Sequence, residues 1–248
     1  MRAIATIVCA GLLLVAPAAA TERPWRPHAG RAIAYAESRS GDIAFAVVGP
    51  RGRLYGYRAN DVFPSASVVK AMFLVAYLRR ARDRHLTRDE KDTLSPMIRR
   101  SDNAAATRIA NALGPRPLYR LARRAHMWRF HYTRPWGESS ITARDQARFF
   151  YDMDALIPDR HEAYARYLLS HVVRSQRWGI GRIKLHRWTL FLKGGWGSGT
   201  GWVDHQVARL EKGGRRIAVA LLVHSSPSHA YGKQTLRGLA HRLLEPLP

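Results

Sequence analysis

Hydrophobic and polar positions change their spacing along the chain, and the changes predict where helices and strands lie. Asp42–Val48 and residues 53–57 are predicted to be two strands around the turn GPRG. Residues 67–82 follow, apolar on nearly every side, which predicts a helix that is buried all round. The first third of the chain therefore predicts a hairpin that leads into a core helix.

The remaining pattern is helical at first and becomes strand-like towards the C-terminus. Further helices are predicted at 30–38, 88–99, 103–112, 117–125, 142–153, 158–173 and 229–244, and strands at 188–193, 201–210 and 217–223. Glycine-rich turns at 194–201 and 213–214 are expected to separate those strands. Two strands before a helical middle and three after it predict one antiparallel sheet whose ends meet. The expected fold class is α/β (α+β), with a helical subdomain inserted into a sandwich.

Residues 1–20, MRAIATIVCAGLLLVAPAAA, have a basic start, an apolar stretch and small residues at the end. This pattern predicts a secretory signal cleaved after Ala20, leaving residues 21–248 as the mature domain. A membrane anchor is less favoured because Pro17 and the alanine run shorten the apolar stretch below spanning length. We therefore expect a secreted protein, in the extracellular space, cell wall or periplasm, without membrane attachment after cleavage. Cys9, the single cysteine, lies in this segment, so the mature chain has no disulfide framework.

The charge is strongly positive, with 41 Lys and Arg against 18 Asp and Glu and a formal net charge of +23. Such a surplus favours anionic partners, of which nucleic acid is the usual one. Export argues against nucleic acid and leaves anionic cell-wall polymers and lipid head groups as possible partners. The arginines are spread along the whole chain, however, which favours a solvated surface over a binding patch.

The segment SASVVKAMF places a lysine, one of six in the chain, among small and apolar residues. Ser67 and Lys70 are three apart, so they share one face of the predicted helix. A lysine in apolar surroundings shifts towards its neutral form, and a neutral amine can take the proton of a serine hydroxyl. The pattern indicates an activated nucleophile; the alternative is an ordinary lysine that extends to water.

Two later motifs favour the catalytic interpretation. Ser101-Asp102-Asn103 lies between two predicted helices, where a loop can direct polar side chains into a cleft; its alternative role is a helix N-cap. Lys193-Gly194-Gly195 ends a predicted strand, with a fixed charge and glycines that allow close backbone approach. The alternative for this motif is a simple glycine turn.

In this order the three motifs resemble those of the penicillin-recognising serine enzymes, the class A β-lactamases and D,D-peptidases. The resemblance spans nearly the whole mature chain and implies a five-stranded antiparallel sheet flanked by helices, with a helical subdomain. It also implies that Ser67 attacks a carbonyl and forms an acyl-enzyme, with Lys70 as the acylation base. Ser101 would relay a proton towards the leaving nitrogen.

The resemblance also implies the substrate-binding residues. Asn103 would hold the amide side chain of the substrate, and Lys193 would attract its carboxylate. Gly195 would let the strand approach the substrate, and the backbone N–H groups of Ser67 and Trp196 would form the oxyanion hole. The expected substrate is a small β-lactam or a peptidoglycan-type amide.

The sequence departs from these enzymes in three places. Gly194 stands where they carry Thr or Ser, so Ser198 or Thr200 would have to supply the missing hydroxyl. The 34 residues from Ser67 to Ser101 are a shorter interval than theirs, which predicts a trimmed subdomain. No Glu-x-x-Leu-Asn is present to activate the deacylating water. Glu138 is the one candidate, although it lies four residues before a predicted helix, on a loop that looks too short to bring it round.

Other chemistries lack support in the sequence. There is no His-Glu-x-x-His, and neither nucleotide-binding glycine motif occurs, so no metal and no cofactor are expected. Trp128, Trp136, Trp178 and Trp196 could line a cleft, although core packing is the expected role for most of them. Two alternatives remain open beside a β-lactamase: a D,D-carboxypeptidase or esterase, and a non-catalytic wall-binding relative. We expect a monomer in each case.

Overall fold

The computed structural model describes residues 25–197, 202–245 and 247, so the predicted signal at 1–20 lies outside the described residues. The helices are α1 (Ala29–Glu37), α2 (Lys70–Arg80), α3 (Arg88–Arg99), α4 (Asn103–Leu113), α5 (Pro115–Arg124), α6 (Ala143–Tyr151), α7 (Met153–Leu156), α8 (Asp159–Ser170) and α9 (His229–Leu244). The strands are β1 (Asp42–Val48), β2 (Leu54–Tyr57), β3 (Phe63–Pro64), β4 (Ser140–Ile141), β5 (Thr189–Gly197), β6 (Trp202–Lys212) and β7 (Arg215–Ser226).

The strands from the two ends of the chain form one antiparallel sheet, in the order β2-β1-β7-β6-β5. β1 pairs with β7 along its full length, with Phe45 opposite Leu221. The prediction of a single sheet closed by both ends of the chain is thus confirmed. β5 is one of the two edge strands, and its outer side faces the helical region.

Apolar side chains form a core on each face of the sheet. α1 and α9 cover one face, where Leu236 and Leu239 of α9 meet alternate residues of the strands. α6 and the helical subdomain cover the other, around α2. Every residue of α2 from Lys70 to Ala76 is buried, as the continuous apolar pattern predicted.

The largest local difference from the predictions lies just before α2. The predicted helix at 67–82 begins as a 3₁₀ turn, Ala66–Val69, and becomes α-helical only at Lys70. Ala66 has φ of +44°, a left-handed conformation that forces a sharp entry into the turn. This entry sets the direction in which Ser67 points.

Two smaller predictions also need correction. The glycine-rich stretch predicted as a turn from 194 continues as β5 through Gly197, because residues 194–197 pair with β6 and Gly195 packs against the backbone of the Ser67 turn. The helix predicted at 142–153 ends at Tyr151 and is followed by the separate short α7. Its start is confirmed, since the Thr142 hydroxyl accepts a hydrogen bond from the Asp145 amide at 3.0 Å. Within the described part of the chain, no helix has the length and apolar character needed to cross a bilayer.

Candidate active site

Ser67 lies in the 3₁₀ turn that opens the central helix. Ser67 is 7% exposed, and Lys70 follows one turn later as the first residue of α2. The Ser67 hydroxyl makes no hydrogen bond to any described residue. The serine is therefore fixed by its backbone, at the surface of a buried turn, with its hydroxyl available for other partners.

The ammonium nitrogen of Lys70 is enclosed by neutral oxygen atoms. Nζ donates to the Ser101 carbonyl at 2.6 Å, to Oδ1 of Asn103 at 2.7 Å and to the Ser101 hydroxyl at 3.3 Å. Burial lowers the pKa of Lys70 from 10.5 to about 7, although the charge of Asp102 acts in the opposite direction. Near neutral pH a large fraction of this amine is consequently unprotonated and able to accept a proton.

The turn between α3 and α4 supplies those oxygen atoms. Ser101 has φ of +60°, a conformation that costs about 1–2 kcal/mol for a residue other than glycine. Asp102 then caps α4 by accepting from the Ala105 amide at 2.7 Å, and Asn103 begins the helix. The N-cap role considered for this motif therefore belongs to Asp102, while Ser101 and Asn103 face Lys70.

Lys193 approaches the same serine from the sheet. Its Nζ donates to the Ser101 hydroxyl at 2.9 Å and to the Gly194 carbonyl at 2.7 Å. Burial, and then the nearby charge of Lys70, lowers the pKa of Lys193 well below its usual value. The Ser101 hydroxyl is thus shared by two lysines, which suits a group that passes a proton on.

β5 runs directly past the Ser67 turn, and Gly195 makes this approach possible. A Cβ atom at position 195 would lie 2.8 Å from the Ser67 amide nitrogen and 2.9 Å from that of Val68. Any larger residue would push the strand away from the turn, because backbone atoms there cannot yield. As an edge strand, β5 also leaves alternate backbone N–H groups turned away from the sheet. Trp196, the next residue, is 37% exposed.

The structure therefore gathers the three motifs, which are far apart in the sequence. Lys70, Ser101, Asn103 and Lys193 form one hydrogen-bonded network, and Gly195 holds the strand against the Ser67 turn. Ser198 and Thr200, considered as replacements for the missing hydroxyl, lie outside the described residues.

Glu138 ends a 3₁₀ turn, Trp136–Glu138, that packs on the Ser67 turn. The Ser65 hydroxyl donates to the Gly137 carbonyl at 3.2 Å, and the Ser65 amide donates to the Ser139 carbonyl at 2.7 Å. The loop before α6, which was expected to be too short, therefore does place residues 136–139 beside the Ser67 turn. However, the side chain over Lys70 is the indole of Trp136, 4.8 Å from Nζ, and the carboxylate whose charge acts on Lys70 is that of Asp102.

Sequence reasoning had assigned Trp136 mainly to core packing, yet its ring lies at the cleft. The indole packs on Phe73, and its Nε1 donates to the Thr107 hydroxyl at 3.0 Å. These contacts fix the face of the ring towards Lys70, where a cation is attracted to it. In the sequence, Trp136 lies two residues before Glu138, the candidate deacylating base, and this was the available sign that it lies near the cleft. The spacing of the two residues does not indicate which side chain turns inward.

Trp178 is a second aromatic residue whose position the sequence did not reveal. A Cβ atom on Gly194 would lie 3.1 Å from the Trp178 ring, so the indole occupies the space beside the missing Thr or Ser side chain. The buried side chain of Gln206 fixes this loop: its Nε2 donates to the Trp178 carbonyl, and its Oε1 accepts from the Ile180 amide, both at 2.7 Å. Gln206 lies within a predicted strand, and the hydrogen-bond partners that a buried amide requires were the available signal.

The sequence that carries two of the three motifs matches a known protein family. The model of the beta-lactamase enzyme family matches residues 91–247, more than half of the chain. The chain belongs to the beta-lactamase enzyme family. The matched span of this beta-lactamase-family protein contains Ser101, Asn103 and Lys193, whereas the Ser67 turn precedes it. No curated protein sequence matches the chain.

Solved beta-lactamase structures have the same fold. A beta lactamase from Xanthomonas campestris pv. campestris is 15% identical, with a TM-score of 0.76 over 87% of this chain and 96% of its own. A beta-lactamase from Sphaerobacter thermophilus is 20% identical, with a TM-score of 0.74 over 87% and 95%. A class A beta-lactamase from Mycobacterium abscessus is 18% identical, with a TM-score of 0.73 over 86% and 96%.

These likenesses confirm the predicted fold class, and the family model confirms the predicted family. At such low sequence identity they carry the fold and not the roles of individual residues. Among the described residues, no three His, Cys, Asp or Glu side chains come close enough together to hold a metal ion.

Proposed function

We propose that this member of the beta-lactamase family is a secreted serine hydrolase that opens β-lactam or related amide bonds through an acyl-Ser67 intermediate. The observation that carries the proposal is the buried Lys70, held one helical turn from Ser67, with its pKa lowered to about 7 and no ion pair to a carboxylate of the described residues. The predicted leader at 1–20 supports export. The positive net charge suits an anionic cell-wall environment.

In the acylation step, the Ser67 hydroxyl oxygen attacks the substrate carbonyl carbon while neutral Lys70 takes its proton. The negative charge that develops on the carbonyl oxygen is stabilised by the backbone N–H groups of Ser67 and Trp196. Ser101 then passes a proton to the leaving nitrogen as the carbon–nitrogen bond breaks. Because Lys70 must be neutral, acylation is expected to slow as the pH falls below about 7.

Substrate orientation depends on the groups around Ser101 and β5. Lys193 lies in contact with the Ser101 hydroxyl, and a substrate carboxylate bound beside it would accept its hydrogen bond and stabilise its charged form. The amide of Asn103 faces the same cleft and can meet the substrate side chain after it releases Lys70. Gly195 permits the strand to lie along the substrate backbone.

A D,D-carboxypeptidase or esterase is the second candidate, and one observation favours it. The position over Lys70 holds the Trp136 indole, which cannot activate a deacylating water as a carboxylate can. If Glu138 does not supply this function, β-lactam acyl-enzymes persist and the natural substrate is a different acyl donor.

Intact-mass measurement after exposure to a panel of β-lactams tests the proposal. We expect a single covalent addition that Ser67→Ala abolishes and that Ser38→Ala, at an exposed serine after α1, leaves unchanged. Rapid loss of the adduct with nitrocefin turnover supports a β-lactamase. A persistent adduct with release of D-alanine from a stem peptide supports the peptidase. No adduct with any acylating probe contradicts both and leaves a non-catalytic wall-binding protein.

A further inference from the structure

Five arginines meet around a cavity of about 410 Å³ in the helical subdomain. Arg79, Arg80 and Arg82 come from the end of α2 and the residues after it, and Arg120 and Arg124 come from α5. Apolar side chains that include Leu113 and Leu121 also line it. We call this the arginine cavity. Among the residues that the structure describes, no acidic side chain belongs to its wall.

The positive charges in the arginine cavity are mostly uncompensated. Arg79 and Arg80 donate to the neutral carbonyls of Leu156 at 2.7 Å and Ala112 at 2.6 Å. Within the described part of the chain, only Arg82 has a carboxylate partner, Asp83 at 3.0 Å, and that pair is largely exposed and therefore weak.

The uncompensated charge is reflected in the titration of Arg79. Burial, and then the charges of Arg124 and Arg82, lower its pKa. The arginines of the cavity therefore repel one another, and an anion between them would relieve the repulsion.

A second cavity shows that this protein can neutralise clustered arginines. Near the β6–β7 turn, a cavity of about 610 Å³ is lined by both basic and acidic residues, and Arg166 and Arg209 there contact Asp154 and Glu211. The described wall of the arginine cavity contains no such carboxylate. Its charge is thus a distinct local feature and not a consequence of arginine abundance alone.

We propose that the arginine cavity binds a phosphate-bearing anion with two or more negative charges. Guanidinium groups form paired hydrogen bonds to phosphate oxygens. Five guanidinium groups carry more positive charge than one carboxylate can balance, which favours an anion with several charges. The volume accommodates two linked phosphoryl groups, and the apolar part of the wall suits an organic moiety attached to them.

The arginine cavity is separate from the catalytic cleft. Lys70 begins α2, whereas Arg79 and Arg80 end it, and eleven helical residues span about 15 Å. An anion in the arginine cavity would therefore not occupy the position of a substrate beside Ser67. Acylation of Ser67 provides an independent control that any variant of the cavity is folded.

Calorimetry with pyrophosphate tests the proposal at about 0.15 M ionic strength, where the screening length is about 8 Å. The test variant is Arg120→Glu/Arg124→Glu. Its matched control is Arg116→Glu/Arg123→Glu, which makes the same charge change on the same helix outside the cavity. We expect the wild type to bind pyrophosphate, the test variant to lose about tenfold or more in affinity, and the control to change about twofold or less.

Three outcomes would overturn the proposal. These are no binding of pyrophosphate to the wild type, an equal loss in both variants, and binding only to phosphatidylglycerol vesicles without competition by pyrophosphate. The last outcome would assign the patch to a membrane surface. The neutral variant Arg120→Gln/Arg124→Gln, with its thermal melting curve, guards against misfolding by charge reversal. It is expected to lose binding while retaining the wild-type fold.

Discussion

Two clusters of basic residues differ in how their charge is balanced. Near the turn between β6 and β7, Arg166 and Arg209 form ion pairs with two carboxylates. In the cleft, Lys70 and Lys193 form no ion pair with any described carboxylate. Arg166 contacts Asp154 at 3.1 Å and Glu211 at 2.5 Å, and the buried Arg209 contacts the same two carboxylates. The hydrogen bond that Arg166 donates to Glu211 raises the pKa of Arg166. Pairing of this kind keeps the cation charged.

The lysines of the cleft meet only neutral groups. Lys70 and Lys193 donate to oxygen atoms of Ser101, Asn103 and Gly194, and no carboxylate of the described residues lies within ion-pair distance of either. Burial accordingly lowers both pKa values. The comparison shows that ion pairing in one region keeps arginines charged, whereas burial without ion pairs among the described residues lowers the pKa of two lysines, one of which is the proposed base.

Replacement of Lys70 has the largest expected effect because it removes the proposed base from the pair of lysines in the cleft. In Lys70→Met, acylation by a fluorescent penicillin should slow about 10³-fold, since no amine remains to take the Ser67 proton. The free energy of unfolding should stay unchanged or rise, because the variant no longer buries an unpaired amine. Gel fluorescence gives the acylation rate, and urea titration gives the stability.

Lys91→Met, at an exposed position on α3, is the matched control and should match the wild type in both measurements. A Lys70→Met protein that acylates at the wild-type rate would show that Lys70 is not the base. Loss of the fold in this variant would instead assign Lys70 a structural role.

Replacement of Arg209 tests the paired cluster and should give the opposite outcome. Arg209→Met leaves two partly buried carboxylates with Arg166 as their remaining partner, so the free energy of unfolding should fall by about 3 kcal/mol. Acylation of the remaining folded protein should be unchanged. Arg88→Met, which removes an exposed ion pair with Asp92, should cost about 0.5 kcal/mol or less. Equal losses in the two variants would contradict the distinction.

Glu138→Gln has the smallest expected effect. A deacylating base contributes about 10²–10⁴-fold, but Trp136 lies over Lys70 in place of a carboxylate. The acyl-enzyme lifetime, followed by intact mass, should therefore change by about threefold or less. Glu37→Gln, at an exposed site on α1, serves as the control. A long-lived adduct in Glu138→Gln alone would identify Glu138 as the base.

The sequence predicted the regular elements well because burial periodicity is a local signal. β1, α3 and α9 begin and end at the predicted residues, and α2 is buried on every side from Lys70 to Ala76. The short strands β3 and β4 were not predicted, since two residues carry no periodicity. The 3₁₀ turn at Ser67 was also missed, because it depends on the left-handed backbone of Ala66.

For the site, motif order predicted which residues converge but not what surrounds them. Ser101 and Lys193 meet in the structure as their motifs predicted. The indoles of Trp136 and Trp178 lie at the cleft because of tertiary contacts with Thr107 and Gln206, which no local pattern shows. The arginine cavity was hidden for the same reason: residues 79–82 and 120–124 look scattered along the chain and converge only in the fold.

Lys70 is buried and forms no ion pair with a described carboxylate, so it should be largely neutral near pH 7. NMR titration of ¹³Cε-labelled lysine measures this directly, because the chain has only six lysines and Lys70→Met assigns the signal. The account predicts a midpoint at about 7 for Lys70, far below the 10.5 of an ordinary lysine. A Lys70 midpoint near 10.5 would contradict it.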